Sequence, residues 1–458
     1  MLRRLEIQGL RGFATLEALT LAVPNNTAGS GLTTIVGANN SGKSTIIEAF
    51  RALSVNQTVS FTRGQRNGVA GDSVKISLIG DGLAISVYSM TPGSSETGRN
   101  QNADPEIFLV PSRRAFNPYF GRSDADRRTY GNQLGLSALR TSAIDQFSGR
   151  MFRANSERSR FNAVLQRVLD PVPDWTIDRE DSGNYFIKIK TLNATHSSEG
   201  MGEGLVSLLF IVDALYDSPS GSMIVIDEPE LSLHPALQKR LCALLMEYAR
   251  DRQIVIATHS PYFTNLASLT TGGTLARVYL DSTGSRVAQL SQQAIDGLRG
   301  LTADDHNPHT LGLDAREVFF LEDGVVLFEG QEDVLFAQRA LASVGRTLDG
   351  QFFGWGVGGA EKMTLVAAML HDLGFMRVVG LLDSDKLDVA SELTRKFPLY
   401  HFATIPAADI RTKQATEGKP AKKGLLDDAN AVVRPEYALR FQSIVDAANV
   451  YLTSQTPT

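Results

Sequence analysis

Cysteine is almost missing from this sequence: Cys242 stands alone, so no intramolecular disulfide can form and no thiolate metal cluster can be built. Long apolar runs are missing too. The most hydrophobic stretch, residues 205–215, is broken by Ser207 and Asp213, and residues 1–10 carry two arginines without an apolar core, so neither a membrane span nor secretion is expected. A reducing, cytoplasmic setting fits. Internal repeats, heptads and low-complexity tracts are also absent from the pattern. The net charge of −5 excludes indiscriminate nucleic-acid binding by the whole surface but permits a local basic face. Residues 111–168 hold such a candidate, with eleven arginines against Asp124, Asp126, Asp145 and Glu157.

What remains is an ordinary globular composition, 43% hydrophobic and 21% charged over 458 residues, which predicts two or three folded domains. Residues 2–7 and 33–36 read as strands, and the second runs through a glycine-bounded turn into a helical pattern over residues 44–53. Residues 93–104 are polar and turn-rich and read as a surface loop between strands at 85–90 and 107–110. Helical spacing over residues 122–169, closed by Pro171 and Pro173, predicts an inserted lobe at about residues 111–173. Residues 175–178 and 185–190 alternate around a turn and read as a hairpin. Short apolar runs at 223–226 and 254–257, with a helix over 236–250 between them, have the look of buried parallel strands. A second series of alternating strands and helices follows: strands at 325–328 and 378–382, and a helix at 332–343. The fold class expected is therefore α/β, with domains at 1–310 and 311–458, joined by a polar connector in which His306 and His309 are loop residues.

Gly37-Ala38-Asn39-Asn40-Ser41-Gly42-Lys43-Ser44 matches the P-loop pattern and sits between strand and helix as that motif requires. Backbone N–H groups of such a loop and of the helix start at Ser44 and Thr45 point at phosphates. Lys43 adds positive charge and Ser44 a Mg²⁺ ligand. Residues 223–228 form an apolar strand ending in Asp227 and Glu228, the Walker B pattern: Asp227 would hold Mg²⁺ and Glu228 polarise the attacking water. His259 follows the strand at 254–258, beside the expected γ-phosphate. Ahead of Walker B, Ser197-Ser198-Glu199-Gly200-Met201-Gly202-Glu203-Gly204 opens a helix, so Ser198, Gly200 and Gly202 offer a second phosphate-binding end. Having no lysine of its own, that end would best serve a nucleotide held by another subunit.

Further along, one strand ends in Glu329-Gly330-Gln331-Glu332-Asp333 and another in Asp383-Ser384-Asp385, with Gly356-Val357-Gly358-Gly359 between them. Acids at the C-terminal edge of a parallel sheet make an oxygen-rich site for Mg²⁺ or Mn²⁺, suited to phosphodiester hydrolysis. No His or Cys lies within these motifs, which argues against zinc. Glu332 could replace Asp333 as a ligand.

The order P-loop, glycine-rich signature, Walker B with Glu228-Pro229-Glu230 and His234-Pro235, then His259, resembles ABC-type ATPases of the SMC, RecF and OLD (overcoming lysogenization defect) branch, although SSEGMGEG departs from the usual LSGGQ signature. The spacing E-G-x-x-D, G-V-G-G, D-x-D is similar to the TOPRIM domain of topoisomerases, primases and OLD nucleases, and an ABC-type ATPase head followed by TOPRIM is the OLD layout. That resemblance implies catalytic Glu228, His259 and Glu329, and metal binding by Ser44, Asp227, Glu329, Asp333, Asp383 and Asp385. It also implies ATP and Mg²⁺ as cofactors, a head-to-head homodimer or higher oligomer, and cleavage of nucleic acid, DNA before RNA, in prokaryotic anti-phage defence. A separate effector or regulatory protein is a further expected partner. The alternatives are a nucleotide-dependent sensor or scaffold whose TOPRIM needs a partner, and a RecF-like DNA-binding ATPase that does not cut. Lys413, Lys422 and Lys423 are candidates for a basic catalytic group, and Arg113 or Arg114 for a contact to ATP.

Overall fold

The computed structural model describes residues 1–54, 59–114, 116–117, 119–123, 126–136, 146–190, 194–302, 312–320, 324–415 and 421–454. The chain divides into two compact units, Met1–Gln289 and Leu290–Thr458. The division falls earlier than residue 311 because the helix Gln292–Thr302 belongs to the second unit, where Ser291 donates to Asp372 Oδ2 at the end of the helix Ala360–Asp372. His306, His309 and the expected boundary at Leu311 lie outside the described residues.

In the first unit a six-stranded sheet runs in the order Gly284–Gln289, Thr274–Asp281, Leu32–Val36, Gln253–Ala257, Met223–Asp227, Ile107–Val110. All its pairings are parallel except that of the first two strands. The strands Leu32–Val36 and Gln253–Ala257 are buried at every position, which is why their sequences are continuous apolar or threonine-rich runs instead of alternating ones. Period-two geometry then sends neighbouring residues into two different cores. Ile224, Ile226, Ile254 and Ile256 pack with the helices Phe147–Ser156 and Glu203–Tyr216, while Val225, Val255 and Ala257 pack with Ile46, Ile47 and Phe50 of the helix Lys43–Ser54.

Against that second core lies a five-stranded antiparallel sheet built from Glu17–Thr20, Leu2–Gln8, Lys75–Gly80, Ala84–Ser89 and Thr97–Gln101. Its last strand falls inside the stretch expected to be a loop: the polar residues 97–101 pair with Ala84–Ser89 at the sheet edge, where one face of a strand needs no apolar side chains. The hairpin Asp174–Arg179 with Tyr185–Lys190 forms as expected.

The inserted lobe contains the helices Arg127–Leu136, Phe147–Ser156 and Arg158–Gln166. Its arginines are mostly spent within the protein. Arg127 pairs with Glu106 and Asp217, Arg128 with Asp104, Arg153 and Arg160 with Glu157, Arg158 with Asp174, and Arg167 with Glu247. Counting charge along residues 111–168 hid this, because most of the partner acids lie outside that window. Arg140, Asp124 and Asp145 lie outside the described residues.

Arg150 and Asp213 are both completely buried; the guanidinium donates through Nε to Asp213 and through Nη2 to Asp217 Oδ2 at 2.6 Å. Beside them Phe147 stacks on Phe210 with ring centroids 3.6 Å apart. The lobe is thus bolted to the helix whose start carries the glycine-rich signature. Arg150→Met leaves Asp213 buried without its cation, and is expected to cost about 3–5 kcal/mol, read as a lower urea midpoint at unchanged slope.

The second unit holds four parallel strands in the spatial order Gln351–Phe352, Val325–Phe328, Val378–Leu382, His401–Thr404. Their chain order is therefore second, first, third, fourth. The direction of winding reverses between Val325–Phe328 and Val378–Leu382, and the crevice at the carboxyl ends of those two strands is where open α/β sheets present their ligand sites. Helices Gln331–Ser343 and Pro435–Thr453 pack their buried residues into one core with these strands. Among the described residues, no helix of either unit is long and apolar enough to cross a membrane.

Candidate functional sites

The P-loop leaves the buried strand Leu32–Val36 and turns through left-handed backbone at Gly37 (φ 140°), Asn40 (φ 61°) and Gly42 (φ 120°). At Gly37 glycine is required, since a Cβ would meet the carbonyl oxygen of Val278 at 2.1 Å. Lys43, only 5% exposed, folds back and donates to the carbonyls of Gly37 and Ala38, at 2.8 Å each. Burial pulls its ammonium down to about 8 against the opposing field of Glu228, Asp227 and Glu230. The Ser41 hydroxyl is buried without a hydrogen-bond partner, an uncommon situation that a phosphate oxygen would relieve. Asn39, Asn40 and Ser44 are exposed and Thr45 is buried at the helix start.

Parallel pairing puts Asp227 opposite Ala257, which is itself opposite Ile35, so Walker B, the strand before His259 and the P-loop strand end side by side. Burial, then the adjacent Glu228, pushes the Asp227 carboxyl up to about 7. Glu228 has left-handed backbone (φ 49°), held by its N–H on the carbonyl of Ala257 at 2.8 Å. His259 is exposed at the next strand's end; burial of part of its ring and the charge of Lys43 lower its pKa, while Glu228 raises it. These three side chains therefore sit within electrostatic reach of one another.

Two residues with no firm role in the sequence reading shape this site. Glu230, whose carboxyl burial pushes up, accepts from the His259 N–H at 2.6 Å and the Thr258 hydroxyl at 2.8 Å. It thereby ties the turn after Walker B to the strand that ends in His259. Arg114, its charge pulled down to about 10 by burial, donates to the carbonyls of Asp227 at 2.5 Å and Glu228 at 3.1 Å, and to the Ser207 hydroxyl at 2.6 Å. Ser207 lies on the signature helix Glu203–Tyr216. Arg114 is thus a positioning residue: it joins that helix to the backbone of both Walker B acids. Arg114→Met should reduce kcat for ATP about 10-fold or more with a smaller change in KM, because it unseats Glu228 without touching the P-loop; equal loss in both parameters would count against this role.

In the signature region Ser198–Gly200 is a short 3-10 turn and Gly202 precedes the helix Glu203–Tyr216. The Ser198 hydroxyl accepts from the Ile187 N–H at 3.3 Å, so it serves the hairpin in this structure. Glu203 accepts from Ser232 at 3.0 Å, and a Cβ on Gly204 would meet the Ser232 carbonyl oxygen at 2.6 Å. The start of the signature helix consequently rests on the turn following Walker B.

In the second unit, Glu329 and Asp383 occupy adjacent strand ends, and the Asp383 N–H donates to Glu329 Oε1 at 2.8 Å. The Asp333 carboxylate turns back to accept from the Gly330 N–H at 2.8 Å. Burial raises all three. Asp333 reaches about 6, and Asp383 about 8, the latter also pushed by Asp333, Glu329, Asp409 and Asp385. The sequence reading missed Asp409, which is 5% exposed and lies beyond the fourth strand, His401–Thr404, with no motif spacing to mark it. Glu332 instead pairs with Arg411 and Lys413, which favours Asp333 over it as a site residue. Of the three candidate lysines, Lys413 pairs with Asp409 at 2.5 Å and Lys422 lies 3.6 Å from Asp385, while Lys423 turns away to Glu436.

The glycine run serves the chain's own backbone. The Gly359 N–H donates to the carbonyl of Glu329 at 2.7 Å, and a Cβ on Gly356 (φ 85°) would meet the Gly330 carbonyl carbon at 2.7 Å. Chemically the set fits a hard divalent cation: carboxylate oxygens only, mutually repelling and partly buried. Among the described residues, no group of three or more His, Cys, Asp or Glu side chains is already arranged around one metal position.

Two family models match the chain: an AAA domain over residues 4–165, and an AAA domain described as a putative AbiEii toxin of a type IV toxin–antitoxin system over residues 85–265. Between them they span the P-loop, the signature and Walker B. The first unit is similar to ATPase domains of the AAA type. The chain is also 20% identical to the Septu protein PtuA of Bacillus thuringiensis over 370 residues, which takes in 73% of this chain and 89% of that protein. Solved structures aligned with it include an Smc head bound to the C-terminal winged-helix domain of ScpA (16% identity, TM-score 0.44, 64% of this chain and 99% of that one). Another is the SMC head domain of Thermotoga maritima (15% identity, TM-score 0.38, 63% and 99%).

Proposed function

We propose that the protein is an ATP-regulated, Mg²⁺-dependent endonuclease of the OLD type, with a TOPRIM-like second unit, acting on nucleic acid in anti-phage defence. The observation that carries this reading is the gathering of Glu329, Asp333, Asp383, Asp385 and Asp409 at the winding reversal of a parallel sheet, where burial and then the neighbouring carboxylates raise Asp333 and Asp383. Glu329, Asp333, Asp383 and Asp385 would hold the metal. When bound, Mg²⁺ supplies charge and an activated water at a phosphodiester. Glu329, its carboxyl raised by burial, is the group we assign to proton transfer. In the first unit Lys43, Ser44 and Asp227 bind ATP and its Mg²⁺, and Glu228 and His259 orient the attacking water. Ser198, Gly200 and Gly202 complete the site of a second head in a homodimer. The test is nicking of supercoiled plasmid and of labelled oligonucleotides with Mg²⁺ or Mn²⁺, with and without ATP.

One observation favours the second reading, a nucleotide-dependent sensor whose nuclease waits for a partner. Lys413 and Lys422 already pair with Asp409 and Asp385, so two of the five acids are compensated by the chain's own charges. Absence of cutting by the wild type with either metal would support it.

A further inference from the structure

Thr258, His259 and Ser260 leave the strand Gln253–Ala257 as a turn, and each of them is tied by a hydrogen bond to the segment that follows Walker B. The Thr258 hydroxyl donates to Glu230 Oε2 at 2.8 Å and the His259 N–H to Glu230 Oε1 at 2.6 Å. On the other side of His259, the Ser260 hydroxyl donates to Oε1 of Gln238 at 2.6 Å, in the helix Pro235–Tyr248. The Gln238 amide nitrogen donates in turn to the carbonyl of Leu233 at 2.7 Å. Leu233 closes the turn after Walker B: its N–H donates to the carbonyl of Glu230, and the Leu231 N–H to that of Glu228.

The direction of these bonds is fixed. A backbone carbonyl only accepts, so the amide nitrogen of Gln238 must face Leu233 and its oxygen must face Ser260. Ser260 Oγ accepts from the Tyr262 N–H at 3.3 Å, which leaves the hydroxyl proton for Gln238, and the Ser260 N–H goes to Thr258 Oγ1 at 3.0 Å. Ser260 is 7% exposed and Thr258 fully buried, so water competes little at these atoms and the chain of bonds is strong. Glu230 alone would hold His259 from one side. With Gln238 the turn is gripped from both sides, by the segment that also carries Glu228 and, through Ser232 and Glu203, supports the start of the signature helix.

We infer that Gln238 is a positioning residue for ATP hydrolysis, locking the turn that carries His259 to the turn after Walker B so that His259 and Glu228 keep one spacing at the γ-phosphate. This rests on the roles given above to His259 and Glu228; Gln238 itself acts through Ser260 and Leu233. Full-length Gln238→Leu is compared with wild type for ATP turnover and for binding of a fluorescent ATP analogue. Turnover is expressed per analogue-binding site, so that unfolded protein is not counted as lost catalysis. A kcat lower by about 5- to 30-fold is expected, with KM and the analogue's Kd within about twofold because the P-loop is untouched. Ser260→Ala breaks the same bridge and leaves the Leu233 bond in place. It should lower kcat by a similar factor, and the double variant should be within about twofold of the slower single one, since both remove one connection. Unchanged kcat in Gln238→Leu, equal loss of turnover and nucleotide affinity, or a double variant whose loss is the product of the two single losses overturns the inference. His259→Ala separates the bridge from the reading beneath it. If that variant hydrolyses ATP as fast as wild type, the role of His259 falls and the inference with it; if it is slow while Gln238→Leu is not, the bridge alone falls.

Discussion

Lys43→Met is expected to lower ATP turnover by on the order of 100-fold or more, with nucleotide binding weakened in parallel. The reason lies in how the lysine is held before any phosphate arrives. Its ammonium closes the P-loop by donating to Gly37 and Ala38, and it is buried close enough to Asp227, Glu228 and Glu230 that their charges support it. Methionine fills a similar volume without the charge, so the fold should survive while Asp227, Glu228 and Glu230 face the triphosphate without the lysine's charge. A fluorescent ATP analogue separates this from Glu228→Gln. That variant keeps the loop and Lys43 intact and removes only the carboxylate at the left-handed corner; it should bind the analogue as tightly as wild type or more so, yet hydrolyse little. If Lys43→Met retained both binding and turnover, the loop would be an ordinary strand-to-helix turn and the ATP site would lie elsewhere.

Some of this was legible in the residues, and the reason is physical. The P-loop and Walker B are local motifs: a buried parallel strand must read as a continuous apolar run, and the groups at its end are fixed within a few residues of it. Residues 33–36, 223–226, 254–257, 325–328 and 378–382 accordingly all fall within observed strands. Edge strands carry a weaker signal. Thr97–Gln101 has no apolar residue, and only its pairing with Ala84–Ser89 makes it a strand.

Long-range polar partners left no local trace at all. Arg150 in the lobe and Asp213 in the signature helix are 63 residues apart and form one buried pair. A basic stretch that looked available to phosphate is largely consumed by Glu106, Asp104, Asp213, Asp217, Asp174 and Glu247. Asp409 illustrates the converse. It joins the acids through the geometry of the fourth strand, and a lone aspartate in residues 405–410 has nothing in its spacing to distinguish it from a surface residue.

The second large effect should come from the acids at the sheet reversal. Asp383→Asn and Glu329→Gln are each expected to reduce metal-dependent strand cleavage by about 1000-fold, leaving ATP hydrolysis by the first unit within about twofold. What distinguishes a functional cluster from a structural one is the direction in which stability moves. Burial, and then four other carboxyl groups, push the Asp383 pKa up to about 8, so its charged form is unfavourable in the metal-free fold. An ion-paired structural aspartate loses stability on conversion to asparagine; Asp383 should not, and the metal-free variant is expected to melt at or above the wild-type temperature at neutral pH. Adding Mg²⁺ or Mn²⁺ should then raise the melting temperature of the wild type, because a cation that binds only the folded state stabilises it, while the shift for Asp383→Asn is small or absent. Differential scanning fluorimetry with a metal titration reads both quantities in one experiment. A wild type indifferent to either metal, together with an Asp383→Asn variant that melts well below it, would mean that the acids are structural and would leave the first unit's ATPase as the chain's one chemical activity.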